Sequence, residues 1–122
     1  MNKQWFWLAF ISCGLVIAYL SLSPSAGGSL QFWDKAQHAA AYLAFTLSGA
    51  PLVLRANTIV TAWLWRLLIF VFIYGIAMEV GQHFVPGRDM SLLDVVANTV
   101  GIAIGGVLVM FGLIKVPKAF LR

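Results

Sequence analysis

Residues 65–84 read WRLLIFVFIYGIAMEVGQHF. Twelve consecutive positions, 67–78, carry no charge, and Glu79, Gln82 and His83 then follow within five residues. At about 1.5 Å rise per residue, a helix of this length spans about 30 Å, the thickness of a hydrocarbon core. The stretch therefore reads as a membrane-crossing helix with a polar end. Three more apolar stretches, 5–22, 36–54 and 92–114, are long enough for the same role. Between them lie 23–35, with Pro24, Gly27 and Gly28; 55–64; and 85–91, with Pro86 and Gly87. Pro and Gly supply turn chemistry in the first and third gaps.

Composition agrees with that reading. Of the 122 residues, 61% are hydrophobic and 10% charged, whereas a soluble domain is about 45–50% apolar and about 25% charged. This excludes a soluble globular domain, a disordered chain, a disulfide scaffold and a coiled coil. The single cysteine, Cys13, rules out an intramolecular disulfide. The net charge of +4 comes from basic residues scattered at the ends of apolar runs. That pattern belongs to membrane topology, not to a nucleic-acid surface. The expected architecture is an all-α, polytopic transmembrane four-helix bundle forming one domain over residues 1–122.

Charge also orients the bundle. With the N-terminus inside, the inner segments carry Lys3, Arg55, Arg66, Lys115, Lys118 and Arg122, and the outer ones carry Lys35 and Arg88. The positive-inside rule then makes both termini cytoplasmic. Trp5 and Trp7 after Lys3, and Trp63 and Trp65 beside Arg66, suit an inner aromatic belt. A cleaved signal peptide is the rival reading of residues 5–22, but its apolar core exceeds the usual length of about 7–15 residues.

All four acidic residues (Asp34, Glu79, Asp89, Asp94) and both histidines (His38, His83) fall on the outer side. Acidic residues contribute little to the topology rule, so the asymmetry asks for another cause. Helical spacing sharpens it. Asp34, His38 and Tyr42 lie on one face of the second helix, Glu79, Gln82 and His83 on one face of the third, and Asp94 and Asn98 on one face of the fourth. Tyr42, Glu79 and Asn98 would sit roughly 7–9 Å beneath the outer boundary. A carboxylate at mid-bilayer costs about 2.5–3.5 kcal/mol on insertion scales, somewhat less near the interface. The stripes are therefore expected to face one another around a polar cavity open to the outside. The first helix, which brings no charge there, is a packing partner.

The ordered set Asp34-Lys35-x-x-His38-x-x-x-Tyr42, Glu79-x-x-Gln82 and Pro86-Gly87-Arg88-x-x-Ser91-x-x-Asp94-x-x-x-Asn98-x-x-Gly101-x-x-x-Gly105 resembles the VanZ-like family of small bacterial membrane proteins. The likeness covers about two-thirds of the chain, from residues 22–23 to 106. It implies a multi-pass protein of the bacterial cytoplasmic (inner) membrane with a role in the cell envelope. The family's founding member is associated with resistance to the glycopeptide antibiotic teicoplanin.

The candidate site is thus Asp34, His38, Tyr42, Glu79, Gln82, Arg88, Asp94 and Asn98. Each member also has a plain reading. Glu79 could bond Arg88 or His38 and only lock helices together; otherwise it orients a ligand or acts as a base. Arg88 suits bidentate recognition of phosphate or carboxylate, or else pairs with Asp89 or Asp94. His38, with Asp34 one turn away, could accept a proton or attack a lipid phosphate, or be a satisfied interfacial histidine. Tyr42 reads most simply as a hydrogen-bond donor to Glu79 or Asn98. Asp94 and Asn98 could cap the fourth helix or bond Arg88. His83 is the weaker candidate, at the interface.

Asp34, His38, Glu79 and His83 offer metal-ligand chemistry, but no metal motif is present. No metal and no cofactor is assigned. Gly101-x-x-x-Gly105 reads as a packing face against the second or third helix, with a homo-oligomer as the minority alternative.

The first functional expectation is binding of a lipid or glycan headgroup. The partners are then membrane lipids and, through the resemblance, envelope glycolipid precursors or a glycopeptide, and no nucleic acid. The alternative is a membrane-embedded hydrolase or transferase acting on a lipid-linked phosphate. A proton-coupled carrier fits less well, because the inner halves of the helices are apolar. A pure scaffold would need the polar cluster only for folding.

Overall fold

The computed structural model describes residues 2–23, 31–55 and 60–112. Four helices follow one another: α1 (Lys3–Leu22), α2 (Gln31–Arg55), α3 (Val60–His83) and α4 (Leu92–Met110). The described residues form no strand, so the chain is an all-α bundle.

Its polarity is the reverse of a water-soluble protein. Glu79, Gln82, Asp94 and Asn98 are buried, while Leu15, Tyr19, Ile73 and Leu92 lie more than half exposed on the outside. Water would not tolerate so large an apolar surface on a monomer; lipid tails welcome it, and force the hydrogen-bonding groups inward. Three helices, Lys3–Leu22, Thr61–His83 and Leu92–Met110, are long and apolar enough to cross a membrane. The α2 helix is longer, with 25 residues, but more polar, having Asp34, Lys35 and His38 in its first turns.

That polarity is compatible with α2's position, because it packs against all three other helices and most extensively against α4. Glycines decide the closeness of that contact. A Cβ added at Gly101 would collide with the backbone carbonyl of Ala39, and one at Gly105 would come within 2.8 Å of Thr46 Cγ2. The small-residue face of α4 is therefore spent on α2 within the chain, as its plainer reading expects. Thr46 satisfies its own hydroxyl by donating to Tyr42 O at 2.8 Å.

The α1 helix is fixed to the bundle by aromatic and polar contacts. Phe10 stacks on Phe45 with ring centroids 4.8 Å apart, and Tyr74 packs edge-on against Phe45 at 5.0 Å. The Tyr74 hydroxyl donates to Gly14 O at 2.5 Å. With Ile17, Tyr42, Val71 and Ile102, these rings fill the middle of the bundle. A smaller cluster of Ala50, Val53, Leu64 and Val109 closes the end where α2 finishes and α3 begins.

Helix boundaries differ from the hydropathy reading by one or two residues at the start of α1 and the ends of α2 and α3, and by more at three others. The α2 helix starts at Gln31, ahead of the apolar stretch beginning at 36, because polar residues extend a helix beyond a membrane boundary without penalty. The α3 helix likewise starts at Val60, ahead of 65. The α4 helix ends at Met110, short of 114. Gly112, at φ +65°, takes the left-handed conformation that terminates helices, and the N–H of Phe111 still reaches Val107 O at 3.0 Å. Lys115, Lys118 and Arg122 lie outside the described residues.

Candidate functional site

The site forms where α2 begins, α3 ends and α4 begins. Local sequence explains how the chain turns there. After His83 the segment Val85-Pro86-Gly87-Arg88 makes a turn closed by Arg88 N–H donating to Val85 O at 3.1 Å. Gly87 has φ +79°, the conformation a type II turn demands after proline. This turn brings Arg88 back over the end of the bundle. Glu79 then ties the re-entering chain down, for its Oε2 accepts the backbone N–H of Ser91 at 3.3 Å.

The deepest part of the site centres on His38. Its Nδ1 lies 3.0 Å from Asn98 Oδ1 and 3.9 Å from Glu79 Oε1. With the Asn98 oxygen as acceptor, Nδ1 donates and so carries a proton. Its Nε2 lies 3.9 Å from Asp34 Oδ1 and equally far from Asp94 Oδ2. Three helices thus supply one cluster: Asp34 and His38 from α2, Glu79 from α3, and Asp94 and Asn98 from α4. Glu79 is 1% exposed, so its neighbours take the place of solvent.

Lys35 is the member that the sequence reading left out. Its ammonium donates to Asp94 and lies 3.4 Å from Asp34 Oδ2. Burial works against its charge, and the hydrogen bonds and charges of Asp94 and Asp34 outweigh that effect, raising its pKa above the ordinary lysine value. The usable signal was its place in the Asp34-Lys35-x-x-His38 pattern, as the one basic side chain at the polar end of α2.

Beside this cluster opens a cavity of about 480 Å³ between α1, α2 and the Arg88 turn. Its polar lining comes from Asp34, Gln37, His38, Tyr42 and Arg88, and α1 contributes Ile17, Leu20 and Ser21 as a wall. Gln37 is a polar lining residue of α2 that the sequence reading did not anticipate. The Tyr42 hydroxyl and Arg88 Nη1 are buried, yet neither has a hydrogen-bond partner among the described residues.

Several individual readings are corrected. Tyr42 does not donate to Glu79 or Asn98; Gly75 lets its ring lie flat against α3, where a Cβ would stand 3.1 Å from Tyr42 Cε1. Arg88 makes no ion pair with Asp89 or Asp94 among the described residues, because Lys35 has taken Asp94. Ser91, not Asp94 or Asn98, is the N-cap of α4; their side chains turn to Lys35 and His38. Gln82 is buried, but its Nε2 is unpartnered and it does not line the cavity. His83 points outward and packs edge-on against Phe84, with centroids 5.3 Å apart.

Asp34, His38 and Asp94 also present ligand atoms within 4.8 Å of one another, a spacing a divalent cation could span. The Lys35 ammonium already bridges the two carboxylates, however, so a metal would have to displace it.

Neither curated proteins nor solved structures give a match to the chain. The model of the VanZ/LLP1 family, by contrast, matches residues 5–115, which take in α2, α3, α4, all of α1 but its first two residues, and every residue of the cluster. The converging polar ends inside an apolar exterior thus sit within a region matched as a whole, and the chain is a membrane protein belonging to the VanZ family.

Proposed function

We propose that the chain binds the polar headgroup of a lipid or lipid-linked glycan in the 480 Å³ cavity, from the extracytoplasmic side of the bacterial cytoplasmic membrane. The observation that carries this reading is that two residues lining it, Tyr42 and Arg88, each hold a buried polar atom, the hydroxyl and Nη1, without a partner among the described residues. Buried polar groups are nearly always satisfied, and an exception at a cavity wall is most economically explained by a guest. A guanidinium and a phenol both donate, which suits phosphate oxygens. Asp34 and Gln37, towards the mouth, accept from hydroxyl or amine groups of the kind glycans and headgroups carry. The family's association with glycopeptide resistance is compatible with occupancy by envelope glycolipid precursors, or by a glycopeptide itself.

The test is native mass spectrometry of the purified protein, wild type against Arg88→Ala. The wild type should retain a phosphate-bearing lipid that the variant loses, with both remaining helical by circular dichroism. Equal lipid profiles would remove the reading.

A second reading, a hydrolase or transferase acting on a lipid-linked phosphate, draws on His38. Its Nδ1 is held by Asn98, leaving Nε2 as the nitrogen able to accept a proton from a nucleophile. Arg88 would then clamp the phosphate, with Glu79 positioned behind the imidazole. Turnover of a lipid-linked phosphate by purified protein, lost in His38→Ala and retained in His83→Ala, would favour it. Binding without turnover across a broad substrate screen leaves the first reading standing alone.

A further inference from the structure

At the opposite end of the bundle lies a second cavity, of about 520 Å³, walled by α1, α2 and α3. Its lining is mostly apolar, including Trp7, Leu52, Val53, Trp63 and Phe70, and it carries two cationic side chains, Lys3 and Arg66. The Arg66 guanidinium rests over the Trp63 ring, 4.8 Å from its centroid. Cation–π contact of this kind orients a guanidinium without neutralising it.

None of the four acidic residues serves these cations. Asp34, Asp89 and Asp94 belong to the polar end, and Glu79 lies 13 residues beyond Arg66 on α3, roughly 20 Å along the helix axis. No ion pair to Lys3 or Arg66 occurs among the described residues. Two positive charges on the wall of an apolar pocket therefore lack a counter-charge among the described residues. Trp7 and Trp63, each close to half exposed, flank it with the amphipathic rings that favour the headgroup level of a membrane.

We infer that this cavity is a binding site for an anionic phospholipid, with the acyl chain against Leu52, Val53 and Phe70 and the phosphate between Lys3 and Arg66. The apolar walls argue against a free anion, which would gain nothing from them. The two charges argue against a zwitterionic lipid, whose headgroup brings its own cation to the same place. On the positive-inside reading this end faces the cytoplasmic leaflet, where anionic lipids give a negative surface that attracts Lys and Arg. The site is independent of the proposed headgroup cavity and shares no side chain with it.

The experiment equilibrates the purified full chain with mixed phosphatidylglycerol and phosphatidylcholine and counts retained lipids by native mass spectrometry. Wild type is expected to prefer phosphatidylglycerol by about tenfold, as two basic residues at a membrane surface allow. The K3Q/R66Q double variant should fall to near parity, and His83→Ala, exposed and outside both cavities, should keep the preference. A wild type without preference overturns the proposal, as does a double variant that retains it. Loss in Arg88→Ala with retention in K3Q/R66Q assigns the lipid to the other cavity and equally overturns it.

A second measurement does not depend on those variants. In a chain whose only tryptophans are Trp7 and Trp63, brominated phosphatidylglycerol should quench fluorescence more strongly than brominated phosphatidylcholine. Equal quenching by the two lipids counts against the site.

Discussion

Lys35, at the start of α2, is ion-paired with Asp94, in the first turn of α4, across 59 positions of sequence. The Asp94 side chain is 8% exposed, and that of Lys35 is 29% exposed. The pair therefore sits between a surface bridge, worth little, and a buried one, costly to break. Replacing Lys35 alone leaves a buried carboxylate without its cation, at about 1–3 kcal/mol. We expect Lys35→Met to lower unfolding stability in detergent by that order, and the K35M/D94L double variant to recover part of the loss. A double variant as unstable as the sum of the singles would mean that the pair is not coupled.

Close approach of α2 and α4 gives a second prediction. Gly101→Ala places a methyl against the backbone carbonyl of Ala39, which cannot rotate away as a side chain could. Overpacking of this kind costs about 1–3 kcal/mol. Ala103→Leu, on the exposed side of the same helix, should change the melting temperature little. Equal effects from the two would mean that the small-residue face does not pack as described.

Tyr42→Phe separates binding from folding. Removing a buried hydroxyl that has no partner is expected to leave the empty protein as stable as before, or more so. The same change should weaken headgroup binding by about three- to tenfold, the worth of one hydrogen bond. A variant that loses stability without losing ligand would point to a structural role.

Topology can be read chemically. Cys13 is the one native cysteine. In a Cys13→Ser background, Asp89→Cys in the turn after Arg88 should react with a membrane-impermeant maleimide on intact cells. Asn2→Cys should react only after permeabilisation. The reverse pattern would invert the bundle and place the polar cavity in the cytosol.

The sequence made the convergence of α2, α3 and α4 legible because helical spacing fixes which residues share a face, whatever the helices pack against. It could not say which cation meets which carboxylate. Arg88 and Lys35 carry the same charge at the same end, and only the path of the turn through Pro86 and Gly87 gives Asp94 to Lys35. Gln37 was hidden for a related reason: it stands outside the Asp34, His38 and Tyr42 stripe and reaches the cavity only because α1 passes beside it. The early end of α4 was readable from Gly112, but hydropathy runs through glycine and obscured it. The second cavity left only its aromatic and basic belt in the sequence, with nothing to mark the gap between three helices.

One rod borders both hollows. The α1 helix gives Ile17, Leu20 and Ser21 to one and Lys3, Trp7 and Phe10 to the other, and Gly14 between them meets Phe45 and Tyr74. Removing α1 would therefore strip a wall from each hollow while leaving in place the three helices that hold the polar cluster.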